Sequence, residues 1–377
     1  MSDRSLHIVS FDVPYPPNYG GVIDVYYKLK ALHKQGVRII LHVIEYPGRN
    51  RAPELEEFCE KVYYYPRVCG LKSALSLIPY IVISRRSEEM MANLLKDNHP
   101  ILFEGLHSCY YIDDHRLKNR KLIYRESNIE HQYYFNLFKS ERSVAKKIYF
   151  LVESFKLLLF QKQLKHAGLM LVVSECDTAY LRERFPGNDV RYLPSFHINE
   201  EIDVLEGSGE YALYHGNIEV PENEAAAAFL INKVFAGTHH KLVIAGMNPP
   251  ARIKEMAAAH HNISIIANPG DEEMFDLIRK AHVNILVTFQ ATGLKLKLLN
   301  TLYNGRFCLV NKAMLNGTGL DPVCITAETP AEFRGMLDQL FAKEFSHDDA
   351  SLREDLLKSK FSNELNARKL IDAVFGS

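Results

Sequence analysis

Short apolar runs return along this chain with amphipathic, helix-length segments between them, and that rhythm restricts the fold more than any other feature. The run LHIVSF (6–11) is followed by IDVYYKLKALHKQG (23–36), helical in period and closed by Gly36, and then by VRIILHVIEY (37–46). Strand, loop, helix, strand at this spacing is a βαβ unit, which builds a parallel sheet. PILFEG (100–105), KLIYRE (121–126) and LMLVVS (169–174) extend the series to fill one doubly wound domain, residues 1–197. The stretch PSFHINEEIDVLEGSGE (194–210) is polar and aperiodic, the composition of an interdomain linker. A second series runs from YALYHG (211–216) through ENEAAAAFLINKVF (222–235), KLVIAG (241–246), ISIIA (263–267), VNILVT (283–288) and GLKLKLLNTLYNG (293–305) to FCLVN (307–311). It defines a second βα domain, residues 210–358. The fold class expected is therefore α/β, two Rossmann-like doubly wound domains, with ligands in a cleft at the carboxyl ends of the strands.

Composition narrows the function. A formal net charge of -1 over 377 residues argues against a general nucleic-acid binder, which needs a basic footprint to displace counterions. The six cysteines form no CxxC pair, so neither a zinc knuckle nor a redox motif is spelled out. MSDRSLHIVSFDVP at the N-terminus has no apolar stretch of signal-peptide length, and a cytoplasmic location is expected. No run reaches the roughly 18 to 20 apolar residues that span a bilayer. ALSLIPYIVIS (74–84) and KKIYFLVESFKLLLFQKQLKHAG (146–168) come closest. Pro79 breaks the first, while the second contains Glu153 and Lys156 and is flanked by lysines. Both read as core helices, with a peripheral contact at the inner face of the membrane as the alternative.

Several strand ends carry residues suited to anions. In NYGGVIDV, Gly20 and Gly21 precede a helix whose N–H groups and dipole favour a phosphate, although a tight turn with positive φ accounts for them equally well. No GxGxxG follows either domain's first strand, which lowers a dinucleotide-dehydrogenase reading. YHGNIEVPENEAA repeats the logic with Gly216 and Asn217 before a helix opened near Pro221. TGLKLKLLN follows VNILVTF directly, so Thr292, Gly293, Leu294, Lys295 and Lys297 are expected where a helix N-terminus faces the cleft. The two lysines read either as solvated charges or as phosphate ligands.

PYPPNYGGVIDVYYKLKALHKQGVRIILHV, YRESNIEHQYY, LVVSECDTAYLRERF, YHGNIEVPENEAAAAFL and TGLKLKLLNTLYNGRFCLVN, in this order and spacing, resemble the GT-B glycosyltransferases, and within them the retaining, nucleotide-sugar-dependent family four. The resemblance covers nearly the whole chain. It implies a nucleoside-diphosphate sugar as donor, a glycan or lipid-linked acceptor, a role in surface polysaccharide biosynthesis, and a last helix within 361–377 that returns to the first domain. It implies neither metal nor cofactor, since no DxD triplet in a GT-A context appears. By motif, Lys297, assisted by Lys295, Thr292, Gly293 and Leu294, would hold the diphosphate, and Asn300 would copy the ribose-binding glutamate through its amide oxygen. Asn268, Pro269 and Gly270 would meet the nucleobase; His107, on the loop after Glu104, would contact the transferred sugar, and Glu104 and Lys297 would join it in catalysis. Arg125 and Asn128 would line the acceptor or phosphate loop with Gly20 and Gly21. The chain departs from the family where Glu219 and Glu222 replace basic residues after Gly216, and where Thr292 and Asn300 replace a glutamate pair. Two other readings stay open: a catalytically silent GT-B partner or regulator, and a GT-B sugar-nucleotide epimerase.

Overall fold

A computed structural model describes residues 4–376 apart from 47, 71, 72, 74, 142 and 290–294. The chain divides into two compact units, one running to Ile198 and resuming at Lys360, the other holding Asn199–Ala291 and Lys295–Ser359.

In the first unit β1 (Ser5–Ser10), β2 (Arg38–Glu45), β3 (Lys61–Pro66), β4 (Ile101–Glu104), β5 (Leu122–Glu126), β6 (Leu169–Val172) and β7 (Asp189–Tyr192) pair in parallel, in the order β3-β2-β1-β4-β5-β6-β7. In the second, β8 (Ala212–Asn217), β9 (Leu242–Met247), β10 (Ile263–Ala267), β11 (Val283–Leu286), β12 (Phe307–Val310) and β13 (Ile325–Thr326) form the parallel order β10-β9-β8-β11-β12-β13. Each sheet reverses its direction of growth once, between β1 and β4 and between β8 and β11. At such a switch point the loops leave to opposite faces and open a crevice beyond the strand ends.

Local sequence explains the elements. Every residue of β1 is buried, as a central parallel strand covered on both faces requires. Helix α1 (Gly20–Lys34) buries Val22, Val25, Leu29 and Leu32 on one stripe and gives way to β2 through Gly36, whose φ of 77° suits glycine. Truncating the fully buried Leu29 to alanine would cost about 2–5 kcal/mol. Helices α2 (Glu130–Ser140) and α3 (Val144–Phe160) pack on each other after β5. In the second unit α4 (Pro221–Phe229) opens with proline at its first turn and continues as a π-helical stretch, Leu230–Phe235, that fills the core. Helix α5 (Leu296–Asn304) precedes β12.

The last helix, α6 (Asn363–Phe375), is capped by Ser362, whose hydroxyl accepts from Leu365 N at 3.4 Å. Its Ala367, Leu370, Ile371 and Val374 lie in the same core as Val22, Leu29 and Leu32, so the chain end returns to the first unit. Lys121 Nζ donates to the terminal carbonyls of Ala373 and Val374 at 2.8 and 2.6 Å. The 194–210 stretch is less loose than its composition implies, because Phe196 joins that core.

The two long apolar segments differ from their expected core role. Tyr80–Ile83 does bury Ile81, Val82 and Ile83, but Leu75 and Leu77 before it are exposed. Helix α3 buries only Glu153, Ser154 and Leu157 and is not a core helix. Among the described residues no helix is long and apolar enough to cross a membrane.

Candidate active site

Most of the predicted residues follow strands that flank the switch point of their sheet, while Asn268, Pro269 and Gly270 follow the edge strand β10. In the first unit the chain leaves β1 through Asp12, which accepts from Tyr19 Oη at 2.7 Å and lies 3.4 Å from Arg49 Nε. Gly20 and Gly21 then open α1, and neither has positive φ, so the tight-turn account fails. Smallness matters at Gly21: a Cβ there would come within 2.7 Å of Phe11 Cζ. The Phe11 ring in turn lies 5.4 Å from the His107 ring at the end of β4.

Glu104 and Arg125 sit inside the layer between sheet and helix rather than on a loop. Lys28 Nζ donates to Glu104 at 2.6 and 2.9 Å and to Asp24 Oδ2 at 2.8 Å. Arg125 donates to Asp24 Oδ1 at 3.0 Å and to the carbonyls of Leu193 and Pro194 at 2.6 and 2.9 Å. Phe196 N completes Asp24 at 2.7 Å. Burial alone would raise the Asp24 carboxyl; Arg125 and Lys28 outweigh it and hold Asp24 below the ordinary carboxylate range. Two cations and two anions, all buried, are thus satisfied by one another and by backbone groups, and this closed set argues against catalysis by Glu104 and phosphate binding by Arg125.

His107 has the opposite character. Its ring is 21% exposed, yet its Nδ1 is buried without a hydrogen-bond partner and faces the equally unpartnered Oε1 of Glu130 at 3.7 Å. That gap is too long for a direct hydrogen bond. Burial, reinforced by Arg85 and Arg67, holds the imidazole well below its usual pKa, so it is neutral. Burial pushes the Glu130 carboxyl up to about 8 against the pull of Arg85. The neutral imidazole and the protonated carboxyl thus face one another as an acceptor and a donor that are not yet in contact. Asn128 lies half-buried in the bend between β5 and α2.

In the second unit Gly216, with φ of 150°, ends β8 beside the side chain of Asn223, 3.6 Å from where a Cβ would stand. Asn223 Nδ2 donates to Asn217 O at 2.8 Å, and its Oδ1 accepts from Lys297 Nζ at 3.2 Å. One asparagine therefore joins the Gly216 loop to Lys297. The ammonium also lies 5.6 Å from the Tyr214 ring centroid. Burial lowers the Lys297 pKa to about 8; Glu222 opposes that shift and Lys295 adds to it. At neutral pH the side chain still carries its charge. Glu222 accepts the Thr288 hydroxyl proton in a short bond, while Glu219 turns to Asn248 at 2.9 Å. Thus Glu222 offsets part of the cost of burying the lysine.

Helix α5 starts later than expected: Lys295 is its N-cap, and Leu296 and Lys297 form its first turn. Thr292, Gly293 and Leu294 lie outside the described residues. Asn300 is placed differently from its expected use. Its Oδ1 accepts from Asn199 Nδ2 at 2.9 Å, and Asn199 Oδ1 accepts from Asn304 Nδ2 at 2.7 Å. Asn304 Nδ2 also donates to Asn300 O at 2.8 Å, which fixes all three amide orientations. Asn300 therefore has its oxygen engaged and its amide nitrogen left to meet a ligand. Asn268, at φ 55°, accepts from Asn248 N at 2.7 Å through its side chain and donates its own N–H to Gly246 O at 2.9 Å. Pro269 and Gly270 carry the chain into the next helix.

Sequence reasoning missed Asn223, Thr288 and Asn199 as parts of this group. Asn223 lies on a helix that reads as alanine-rich packing, and Asn199 in a stretch that reads as linker. Away from both groups, His239, His240 and Asp338 bring ligand atoms within 4.8 Å of one another, with His240 Nε2 already 2.7 Å from Asp338. All six cysteines are free.

No protein-family profile matches the chain. It is 28% identical over 332 residues to an uncharacterized 44.6 kDa protein in the cps region of Klebsiella pneumoniae, covering 83% of this chain and 84% of that one. Among solved structures it is similar to S. aureus TarM in complex with fondaparinux, alpha-GlcNAc-glycerol and UDP, at a TM-score of 0.66, 8% identity, and 99% and 100% coverage of the two chains. A glycosyltransferase from Rickettsia africae gives 0.64 at 12% identity, covering 100% and 99%. Medicago truncatula UGT71G1 complexed with UDP-glucose gives 0.58 at 10%, covering 99% of each. The two parallel sheets and these likenesses define the chain as a GT-B fold protein.

Proposed function

We propose that this chain is a glycosyltransferase that moves a sugar from a nucleoside-diphosphate sugar to a hydroxyl of a glycan or lipid-linked acceptor. One observation carries the reading. Lys297 is a half-buried ammonium held by Asn223 against the Gly216 loop, in the first turn of α5, at the switch point of a parallel sheet. Leaving diphosphate gains negative charge as the glycosidic bond breaks, and a preorganised cation with the N–H groups of a helix N-terminus stabilises that charge. Lys295, Asn217 and the loop through Thr292, Gly293 and Leu294 would complete the phosphate site. The bond from the anomeric carbon to diphosphate oxygen breaks, a bond to the acceptor oxygen forms, and the acceptor proton passes to the departing diphosphate. The neutral His107 accepts a hydrogen bond from a hydroxyl and protonated Glu130 donates one. No metal or cofactor enters this scheme.

Retention at the anomeric carbon, a hexosyl donor and a cytoplasmic site at the inner face of the membrane belong to the same reading. The cps-region relative supports surface polysaccharide biosynthesis as its setting. Titration calorimetry with UDP and GDP, followed by a screen of nucleotide sugars for diphosphate release and NMR of the product anomer, tests it. Absence of nucleoside diphosphate binding by folded protein would overturn the donor site. A second reading is favoured by the engaged oxygen of Asn300: a GT-B partner that binds a nucleotide without turning over. Binding without diphosphate release from any donor would select it.

A further inference from the structure

A surface helix ordinarily buries its apolar stripe and shows a polar one. Helix α3 is inverted. Its inward side carries Glu153, Ser154 and Leu157. Glu153 accepts from Tyr80 N at 2.6 Å, and Ser154 Oγ donates to His131 O at 2.7 Å, so polar bonds help fasten the helix. Its outward side carries Val144, Ile148, Leu151, Val152, Phe155 and Leu159, all exposed, up to 71% at Val144 and 62% at Phe155. Their spacing of 4, 3, 1, 3 and 4 residues puts all six on one stripe. Leu77, 92% exposed, sits three residues before Tyr80 and adds to the apolar surface near α3. A groove of about 450 Å³ opens between α2 and α3, and two of its lining residues, Leu151 and Phe155, belong to the stripe.

The charge around the stripe identifies what covers it. From residue 131 to 166 there are seven lysines and arginines against two glutamates, a net +5, in a chain whose total is -1. Lys139 and Lys147 lie over the rings of Phe135 and Phe138, at 4.7 and 5.9 Å, and Lys146 is exposed on the first turn of α3. An apolar stripe with lysines and aromatic rings at its margins is the chemistry of a helix lying in the headgroup layer of an anionic bilayer. A second copy fits worse, because two-fold pairing through the stripe would bring two +5 hairpins together.

We propose that the α2–α3 hairpin docks on an anionic lipid bilayer, with the α3 stripe inserted among the acyl chains and the lysines on the headgroups. The inference deepens the acceptor side of the proposed function and rests on that reading for its biological sense, while its test does not depend on transfer.

The test is sedimentation of the full chain with vesicles of phosphatidylcholine alone or with about a quarter phosphatidylglycerol, beside UDP titration and light scattering. The parent should bind the anionic vesicles preferentially. Ile148→Ser with Phe155→Ser, both exposed sites, should lower vesicle partitioning roughly tenfold or more while the thermal midpoint and UDP affinity stay as in the parent. Lys146→Glu with Lys147→Glu should remove the preference for anionic lipid. Three results would overturn the proposal: parent protein left in the supernatant with both vesicles, a serine variant that sediments like the parent, or a parent dimer that the serine variant dissociates. Loss of UDP binding with vesicle binding intact would instead remove the transferase reading and leave the docking surface standing.

Discussion

Two charged clusters, one in each unit, are built from similar groups and do different work. Asp24, Lys28, Glu104 and Arg125 are each 2% exposed or less, and their donors and acceptors are turned on one another or on nearby backbone. Lys297, Asn223, Glu222 and Thr288 share bonds too, but among the described residues Lys297 reaches one amide oxygen within hydrogen-bond distance, and it stays half-buried. An ammonium can donate three hydrogen bonds. Closure identifies the first cluster as a brace joining α1, β4, β5 and the segment after β7; the second, with fewer bonds to its cation among the described residues, is the one proposed above to take an anion.

Breaking the brace should give the largest effect. Arg125→Ala takes from Asp24 one of its three donors and leaves the carbonyls of Leu193 and Pro194 without theirs, and removal of one partner from such a set costs about 3–5 kcal/mol. Hydrogen exchange of the β1 and β5 amides should accelerate accordingly, with UDP affinity of the folded protein unchanged. Loss of UDP affinity at unchanged exchange would move Arg125 back to the phosphate loop.

Lys297→Ala comes next and should act on ligand instead of fold. A charge-assisted contact is worth about 1.5–3 kcal/mol, so UDP binding should weaken by roughly one to two orders of magnitude. Because the parent lysine has a pKa of about 8, its UDP affinity should fall as pH rises through that value, and the alanine variant should lose this dependence. A flat pH profile in the parent would show that the ammonium does not meet the diphosphate.

The contrast also explains what was legible in the sequence. Parallel sheets and two units follow from periodicity, because each depends on neighbours in the chain. The site was legible only where a motif sits at a strand end, as with Gly216, His107 and Lys297. Glu104 and Arg125 sit at strand ends too, and nothing in the local pattern reveals that Lys28 and Asp24, one helical turn apart on α1, lie beneath them. The same limit applies to α3: an apolar period announces an amphipathic helix but does not say which face turns inward.

A smaller effect distinguishes the half-open pair in the first unit from the brace beside it. Burial keeps Glu130 protonated to about pH 8, whereas its unfolded value is near 4.5. The folded state therefore binds more protons than the unfolded one between these values. The contribution of this group to stability is full below about 4.5 and declines as pH rises through 8. Glu130→Gln removes that dependence and should stabilise the first unit at pH 8, with no gain near pH 4, as read from unfolding at both pH values. Equal stabilisation at both would show that the carboxyl ionises normally.

The smallest effect belongs to Asn300, where the proposed donor site and the fold meet. Asn300→Asp keeps an oxygen for Asn199 Nδ2, so the amide ladder through Asn304 survives and stability should change by about 0.5 kcal/mol or less. What changes is the outward group: a carboxylate oxygen that accepts replaces an amide nitrogen that donates. If a ribose hydroxyl meets this position, it can reverse its own hydrogen bond, because a hydroxyl both donates and accepts, and UDP affinity should move by about threefold or less. If a phosphate oxygen meets it, the added negative charge has no such remedy, and affinity should fall by more than about tenfold. Calorimetry with UDP and with uridine separates the two cases: a loss confined to UDP would place the diphosphate, rather than the ribose, against the second turn of α5.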